Sequence, residues 1–337
     1  MGEGWGEGLA RKEDISLFLS FSKLRTLTLA LSQWERVIGM KKENDHLVID
    51  SHQHFWQVGR FDYPWMTPGV EVLCQDYLPP ALDPILKRCG VEKTVLVQAS
   101  NSLEETRWLL SLADRYPFIA GVVGWVDLTT EHVGRQLDEF VRHAKFKGVR
   151  HLVESEPADD WLIQPRVLDG MRALTAYGVP YDLLVHIRHL KCAKILSENC
   201  PGLRLVIDHM AKPPIARNEL DEWARQIKEL AASANVWCKL SGLVTEANWA
   251  NWSVEDLKPF VNTALEYFGP QRMMFGSDWP VCLLAASYHR VLEAFQYLLV
   301  ELSDEDRNRI FAGNANEFYQ LQPQDSLSLW ERVGVRA

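Results

Sequence analysis

The fold is decided by the stretch Leu47–Trp56, LVIDSHQHFW. Its apolar start predicts a short buried strand, which leads into His52 and His54. Because residues i and i+2 of a strand point to the same side, both imidazoles can aim at a common point. The carboxyl end of an apolar strand is also where α/β folds build their sites. The pair is therefore predicted to bind a metal ion, or to transfer protons and donate hydrogen bonds.

Composition and charge narrow the class of protein. The 337 residues are 47% hydrophobic and 24% charged, which is typical of a soluble globular chain, and an α/β barrel of this length forms one domain. The net charge of -9 argues against a nucleic-acid surface, and no run approaches the ~18 apolar residues that span a bilayer. The six cysteines contain no C-x-x-C pair, so we expect reduced thiols and a cytoplasmic setting. The expected partner is a small-molecule substrate.

The two ends of the chain carry a near repeat. Leu31–Val37 reads LSQWERV and Leu327–Val333 reads LSLWERV. Two copies do not make a repeat protein. We predict that an N-terminal extension, 1–45, and a C-terminal tail, 322–337, lie outside a domain of residues 46–321, with Met40 as the natural start. The alternative is that both tails pack on the domain or mediate a homo-oligomer.

Between these tails, short apolar runs alternate with amphipathic helical stretches, which predicts βαβ units and a parallel sheet. The predicted strands are Leu47–Asp50, Thr94–Gln98, Ile119–Trp125, Gly148–Leu152, Pro180–Val185, Arg204–Asp208, Val236–Leu240 and Met273–Gly276. Eight such units favour a closed (β/α)8 TIM barrel. The runner-up is an open doubly wound sheet, but no G-x-G-x-x-G follows the first strand.

Helical periodicity and end signals support the same arrangement. Apolar residues recur on one face of the predicted helices Glu131–Ala144, Arg166–Tyr177, Leu220–Ala232 and Val254–Phe268. Ser253 and Ser303 each precede acidic residues and are predicted N-caps. Gly178 and Gly269 are predicted C-terminal stops.

Polar residues cluster at the predicted strand ends. Beyond the first strand, they are Arg150 and His151, then His209, Lys239 and Asp278. In a barrel these ends form one ring, so residues that are distant in sequence become neighbours. Each has a structural explanation when taken alone, because Asp278 can cap a segment, His209 can be a core histidine, and Arg150 and Lys239 can be ion-paired.

The chemistry of these groups suits a hydrolase. A carboxylate at Asp278 can bind a metal ion or act as the general base for water, and His209 can stabilise an oxyanion or complete a metal shell. Arg150 offers a planar fork to a carboxylate or a pair of hydroxyls. Trp56, Trp125, Trp161 and Trp279 lie near strand ends, where flat aromatic faces suit a sugar-like ring, although core packing is the commoner role.

Six motifs together resemble one superfamily. They are Ile49–Trp56 (IDSHQHFW), Gly121–Asp127 (GVVGWVD), Lys147–His151 (KGVRH), Val206–His209 (VIDH), Lys239–Leu243 (KLSGL) and Met274–Pro280 (MFGSDWP). The chain resembles the amidohydrolase superfamily, and within it the branch of sugar-lactone hydrolases that act on L-fuconolactone and L-rhamnonolactone. The resemblance covers about residues 46–321. It implies an amidohydrolase-type (β/α)8 barrel that opens a lactone to its hydroxy acid.

The resemblance also implies roles for residues. His52, His54 and Asp278 match the superfamily's site, and His209 matches its sixth-strand histidine. A binuclear centre would need a bridging Lys at the end of strand four, where this chain has Arg150. One divalent ion, zinc by preference, is therefore expected on these four residues, or none at all.

The resulting hypothesis is that Asp278 deprotonates water, which attacks the lactone carbonyl. His54 and His209 would stabilise the oxyanion, and a histidine would return a proton to the leaving oxygen. The predicted substrate-binding residues are Arg150, His151, Lys239, Trp56, Trp125 and Trp279. The alternatives are a metal-dependent non-oxidative decarboxylase of the same superfamily, a hydrolase of another cyclic ester, and a sugar-binding barrel without activity.

Overall fold

The computed structural model describes residues 47–321, and they form a single eight-stranded barrel. The predicted extension, 1–45, and tail, 322–337, lie outside the described residues. The strands follow one another around the sheet in chain order, each parallel to the next. They are β1 (Ile49–Gln53), β2 (Lys93–Val97), β3 (Ile119–Gly124), β4 (Phe146–His151), β5 (Tyr181–Leu183), β6 (Leu205–Ile207), β7 (Val236–Leu240) and β8 (Met273–Phe275). The predicted (β/α)8 barrel is confirmed, and the open doubly wound sheet is excluded.

Helices connect the strands and cover the outside of the barrel. They are α1 (Pro79–Cys89), α2 (Leu103–Arg115), α3 (Val133–Phe140), α4 (Pro165–Tyr177), α5 (Leu190–Asn199), α6 (Asp221–Ala231), α7 (Leu243–Glu246), α8 (Val254–Phe268), α9 (Tyr288–Leu298), α10 (Asp304–Asn308) and α11 (Asn314–Tyr319). Within residues 47–321, none of these helices has the length and apolar character needed to cross a bilayer.

The barrel closes between β1 and the segment that follows β8. The backbone N–H of His54 donates to the carbonyl of Trp279 at 2.7 Å, and that of Asp278 donates to the carbonyl of His52 at 2.8 Å. Below these bonds the carboxylate of Asp50 accepts from the backbone N–H and the hydroxyl of Ser277, at 2.8 and 2.6 Å. These bonds place the His-x-His segment directly beside Asp278.

The C-terminal helix closes the opposite end of the barrel. Phe318 and Tyr319 of α11, with Leu321, pack against inward-facing residues of the strands such as Val95, Val206 and Met274. Because this end is filled by apolar side chains, the barrel opens at the carboxyl ends of the strands, where TIM barrels build their sites.

The predicted end signals agree with the structure, but seven of the eight predicted strands differ from the observed strands at one or both ends. Ser253 forms a capping box at the start of α8, and Gly178 ends α4 in the left-handed conformation. β1 extends to Gln53, so His52 lies inside the strand instead of after it. The helix predicted over Glu131–Ala144 is shorter, because β4 begins at Phe146 and leaves only a short turn for the connection.

Candidate active site

A cavity of about 210 Å³ lies at the open end of the barrel. We call it the mouth cavity. Its polar lining includes His54, His209, Asp278 and Arg150, and its apolar lining includes Trp56, Trp65, Val70, Leu73, Val281 and Leu284. It therefore joins residues from strands one, four, six and eight at one place.

Four of the predicted residues form a compact group, which we call the mouth ring: His52, His54, His209 and Asp278. The Nε2 atoms of His52 and His54 are 3.1 Å apart. Asp278 Oδ1 lies 3.5 Å from His54 Nε2 and 3.9 Å from the Nε2 atoms of His52 and of His209. This carboxylate oxygen is buried and accepts no hydrogen bond from the described residues.

Local backbone geometry delivers His209 and Asp278 to the ring. Residues His209–Lys212 form a left-handed turn with φ between 52° and 60°, and Asp278 has φ 59°. Non-glycine residues adopt this region at a cost of roughly 1–2 kcal/mol each, and such strain concentrates at functional sites. Gly242 makes room for the turn, since a Cβ there would lie 2.4 Å from His209 Nδ1.

Hydrogen bonds orient the imidazoles. His54 Nδ1 lies 2.8 Å from the carbonyl oxygen of Val97, to which it must donate, so its Nε2 carries a lone pair toward the cavity. His209 Nδ1 lies 2.9 Å from the hydroxyl of Ser241. Burial lowers the pKa of each ring histidine, with Lys239 adding to the effect at His52. The imidazoles are therefore neutral at pH 7.

Asp278 is ionised beside them. Burial alone would raise its pKa, but its polar and charged neighbours outweigh that effect and hold the pKa below its ordinary value. A buried carboxylate with one free oxygen, facing a cavity, can accept a proton from water or bind a cation.

The mouth ring fits a single divalent metal ion. The ligand atoms of His52, His54 and Asp278 lie 3.1, 3.5 and 3.9 Å apart, near the ~3.3 Å edge of a tetrahedron with zinc–nitrogen bonds of about 2.0 Å. The free oxygen of Asp278 and the lone pair of His54 provide donors of the correct kind.

A second buried polar group lies directly beneath the ring, and we call it the interior network. It consists of Arg150, Asp182, Asp208, Lys239 and Tyr319. Lys239 Nζ lies 2.6 Å from Asp182 and 3.0 Å from Asp208, while Arg150 Nη1 lies 3.1 Å from Asp208. The hydroxyl of Tyr319 donates to Asp182 at 2.7 Å. The two cations balance the charge of the two carboxylates, although Asp182 Oδ1 and Asp208 Oδ1 accept no hydrogen bond from the described residues.

The network also argues against the binding of a second metal ion. Asp208 lies within ligand distance of His52 and His209. However, Lys239 and Arg150 already occupy its oxygens, and Lys239 Nζ also lies 3.0 Å from His52 Nδ1. A cation placed there would meet two buried positive charges, which disfavours a binuclear centre.

Several predicted substrate-binding residues lie away from the mouth cavity. Lys239 is fully buried in the interior network. His151 accepts from the indole of Trp125 at 3.0 Å and lies 2.7 Å from Glu156. Trp279 is 2% exposed and packs against Phe55 and Tyr77. Of the six, Arg150 and Trp56 line the cavity.

Three other charged residues line the cavity and were not predicted as site residues. They are Glu154, Lys212 and Glu246. Lys212 forms an ion pair with Glu154. Lys212 comes three residues after His209, and Glu154 three residues after His151, so their place just beyond strand ends was a usable signal. Glu246 lies on the short helix α7, for which the sequence offers no such signal.

The sequence model of the amidohydrolase family matches residues 49–321. The chain belongs to the amidohydrolase family. The match begins at β1 and ends after α11, so it covers the whole described barrel of this amidohydrolase and every residue of the mouth ring.

Curated relatives support the assignment. The amidohydrolase is 38% identical over 283 residues to L-fucono-1,5-lactonase of Burkholderia ambifaria, covering 81% of this chain and 95% of that protein. It is 39% identical over 293 residues to L-fucono-1,5-lactonase of Burkholderia multivorans, covering 83% of this chain and 98% of that protein. A crystal structure of an amidohydrolase from Burkholderia multivorans with bound zinc is 40% identical, with a TM-score of 0.78, covering 82% and 99% of the two chains.

Proposed function

We propose that this amidohydrolase hydrolyses the ring ester of a sugar lactone and releases the aldonic acid. The observation that carries the proposal is Asp278 Oδ1, a buried carboxylate oxygen without a hydrogen bond that faces the mouth cavity among three neutral imidazoles. Such an oxygen is suited to take a proton from water. The relatives named as L-fucono-1,5-lactonases support the choice of a lactone.

The residues divide the reaction between them. Asp278 accepts the proton of the attacking water. The guanidinium of Arg150 lines the cavity and brings positive charge toward the oxyanion, while its N–H groups donate to Gln98, His52 and Asp208. His54 Nε2 and His209 Nε2 lie 3.5 and 3.9 Å from Asp278 Oδ1, so one of these neutral imidazoles takes the proton from Asp278 and passes it to the leaving ring oxygen as the ester C–O bond breaks.

A metal ion is compatible with this scheme. His52, His54, His209 and Asp278 would hold it, zinc by preference, and it would supply Lewis acidity toward the carbonyl oxygen. Because Arg150 already provides positive charge at this point, we expect lactone opening to survive chelation with less than about a tenfold loss.

The apolar part of the cavity gives the lactone a place to bind. Trp65 donates its indole N–H to the carbonyl of Ala99 at 2.9 Å, which fixes the ring at the cavity wall. Flat apolar walls with few polar groups are typical of small-molecule sites. Cys74, Cys192, Cys200, Cys238 and Cys282 are free thiols, which supports a reducing, cytoplasmic setting. The relatives named as L-fucono-1,5-lactonases support a role in carbohydrate metabolism.

The test is a lactone panel with the purified protein, with and without chelator and paired with elemental analysis. L-Fucono-1,5-lactone and L-rhamnonolactone are followed by the acid they release, after subtraction of their uncatalysed opening. Turnover of a sugar lactone is the expected result. Absence of turnover on every lactone, or release of carbon dioxide from aromatic carboxylates with complete loss on chelation, would contradict the proposal, and the second result would favour the decarboxylase.

A further inference from the structure

One part of the mouth cavity carries charges that the hydrolytic scheme does not use. Glu154, Lys212 and Glu246 all line it, and we call them the charged wall. The ammonium of Lys212 forms an ion pair with the carboxylate of Glu154. His186 lies behind this pair, with its Nε2 3.6 Å from Glu154. An ammonium has three donors, so one acidic partner leaves others free for a ligand.

The position of Lys212 is fixed by the conformation and the hydrogen bonds of its backbone segment. Lys212 is the last residue of the left-handed turn that begins at His209, and no glycine relieves the cost of that turn. The turn is fixed from both sides, because Lys212 N donates to the carbonyl of His209 at 2.8 Å and the indole of Trp223 donates to that of Met210 at 2.7 Å. A helical continuation would send Lys212 elsewhere, so the strained turn serves to bring both side chains to one cavity.

Glu246 complements the pair. None of the described hydrogen bonds or ion pairs involves its carboxyl group, although most of its surface is covered. Burial raises the pKa of this carboxyl to about 7, with Lys212 opposing and Glu154 and Asp278 adding to the shift. Near neutral pH the group can therefore either donate or accept a hydrogen bond. Lys212 stays charged, because Glu154 and Glu246 outweigh the effect of burial on its pKa.

We propose that Glu154, Lys212 and Glu246 bind the ring hydroxyl groups of the lactone and set a preference for polyhydroxylated over plain cyclic esters. The inference rests on the proposed function and adds to it the part of the substrate that is recognised. A donor, an acceptor and a group that is both match the mixed hydrogen bonding of adjacent hydroxyls. Sites with buried polar groups reject analogues that leave those groups unpaired.

The experiment pairs one enzyme change with one substrate change. Lys212→Met keeps the apolar stem and removes the ammonium, and δ-valerolactone keeps the six-membered ring ester of L-fucono-1,5-lactone and removes every hydroxyl. We expect Lys212→Met to lower kcat/KM for the sugar lactone by roughly 10- to 100-fold and for δ-valerolactone by less than about threefold. Where a lactone is not turned over, its inhibition constant against the other substrate replaces kcat/KM.

Two variants of Glu246 separate hydrogen bonding from charge, and a third variant is the control. Glu246→Gln still donates and accepts, so kcat/KM for the sugar lactone should stay within about threefold, whereas Glu246→Leu should lose roughly tenfold or more. Lys87→Met is the matched control, because Lys87 forms an exposed ion pair with Asp83 on α1 and does not line the cavity. It should change neither lactone's kinetics.

The outcomes are distinguishable. Equal losses on both lactones in Lys212→Met would assign Lys212 a purely structural role and overturn the inference while the proposed function stands. Wild-type enzyme that opens the two lactones with equal kcat/KM would also overturn it. Wild-type enzyme that neither opens nor is inhibited by any lactone would reject the proposed function, and the inference with it.

Discussion

The mouth ring and the interior network are adjacent, buried and similarly polar, yet they differ in how their charges are paired. In the network, every charge of Lys239, Asp182 and Asp208 meets an opposite charge within about 3 Å. In the ring, the carboxylate of Asp278 faces imidazoles that are neutral at pH 7, and no described ion pair joins it to Lys or Arg. A buried charge without an opposite charge beside it is costly, so natural proteins keep few of them. The difference favours a structural role for the network and supports the proposed role of the ring in binding a ligand and in the reaction.

The largest expected effect comes from removing the charge of the ring. Asp278→Asn should lower kcat/KM for the lactone by on the order of 10⁴-fold, equivalent to ~5.5 kcal/mol, because the proton acceptor is lost. Stability should be nearly unchanged, since Asn tolerates the left-handed backbone at this position. Lactone kinetics and thermal unfolding measure the two effects.

Asp169→Asn, an exposed change on α4, is the control for Asp278→Asn. A variant that keeps more than about a tenth of wild-type activity would remove Asp278 as the base. Ligand affinity that persists without any turnover in the wild type would instead favour the sugar-binding barrel.

The network should show the reverse pattern. Lys239→Met leaves Asp182 and Asp208 buried beside one another without their shared cation, and breaking such a pair costs about 3–5 kcal/mol. We expect that loss in the free energy of unfolding, measured by chemical denaturation. The remaining folded enzyme should keep its KM, because Lys239 does not line the cavity.

Lys87→Met is the matched control for stability, since its exposed ion pair should contribute less than about 1 kcal/mol. A rise in KM without loss of stability in Lys239→Met would place Lys239 on the substrate and break the distinction between network and ring.

A smaller effect is expected from a substitution that displaces His209 but leaves every side chain of the ring present. In Gly242→Ala the new Cβ would lie 2.4 Å from His209 Nδ1 and displace the imidazole. We expect roughly a 10-fold loss of kcat/KM, because misplacement on the ångström scale is costly in an organised site. Gly90→Ala is the control, because Gly90 has nearly the same φ as Gly242, 68° against 66°, but a Cβ there would meet nothing within 4 Å. That substitution therefore adds backbone strain alone. Equal activity in both variants would show that the position of His209 is not critical.

The smallest effect is expected from trimming the chain to Met40–Leu321. Both the ring and the network are complete within the described residues, so the free energy of unfolding should change by less than about 0.5 kcal/mol and kcat/KM by less than about twofold. Denaturation curves and lactone kinetics of the trimmed and full-length chains test this. A collapse in solubility or activity would favour tails that pack on the barrel or mediate oligomers.

The sequence predicted the barrel and the residues of the ring because periodicity and strand ends are local signals. His52, His54, His209 and Asp278 each follow or end an apolar run, and one ring of strand ends brings them together. Arg150 and Lys239 show the limit of that reasoning. Both lie at strand ends, but whether a long cation reaches the cavity or turns to a buried carboxylate depends on the neighbouring strands. Lys239 meets Asp182 and Asp208, which the sequence reasoning had not connected to it.

Loop residues were harder to predict for a related reason. Lys212 reaches the cavity only because four successive residues adopt a left-handed conformation that their side chains disfavour. Preferences of single residues predict the opposite. Trp279 was predicted to bind substrate, but the structure places it in the packing under the cavity, against Phe55 and Tyr77.

Because of the left-handed turn, the direction of the Lys212 side chain depends on the number of residues in this loop. His209 starts the turn and Lys212 ends it, with about three residues per revolution. Inserting or deleting one residue between them would redirect the amine by about a third of a revolution and leave the imidazole in place. Substrate choice can therefore diverge through loop length alone, while the machinery that activates water is inherited intact.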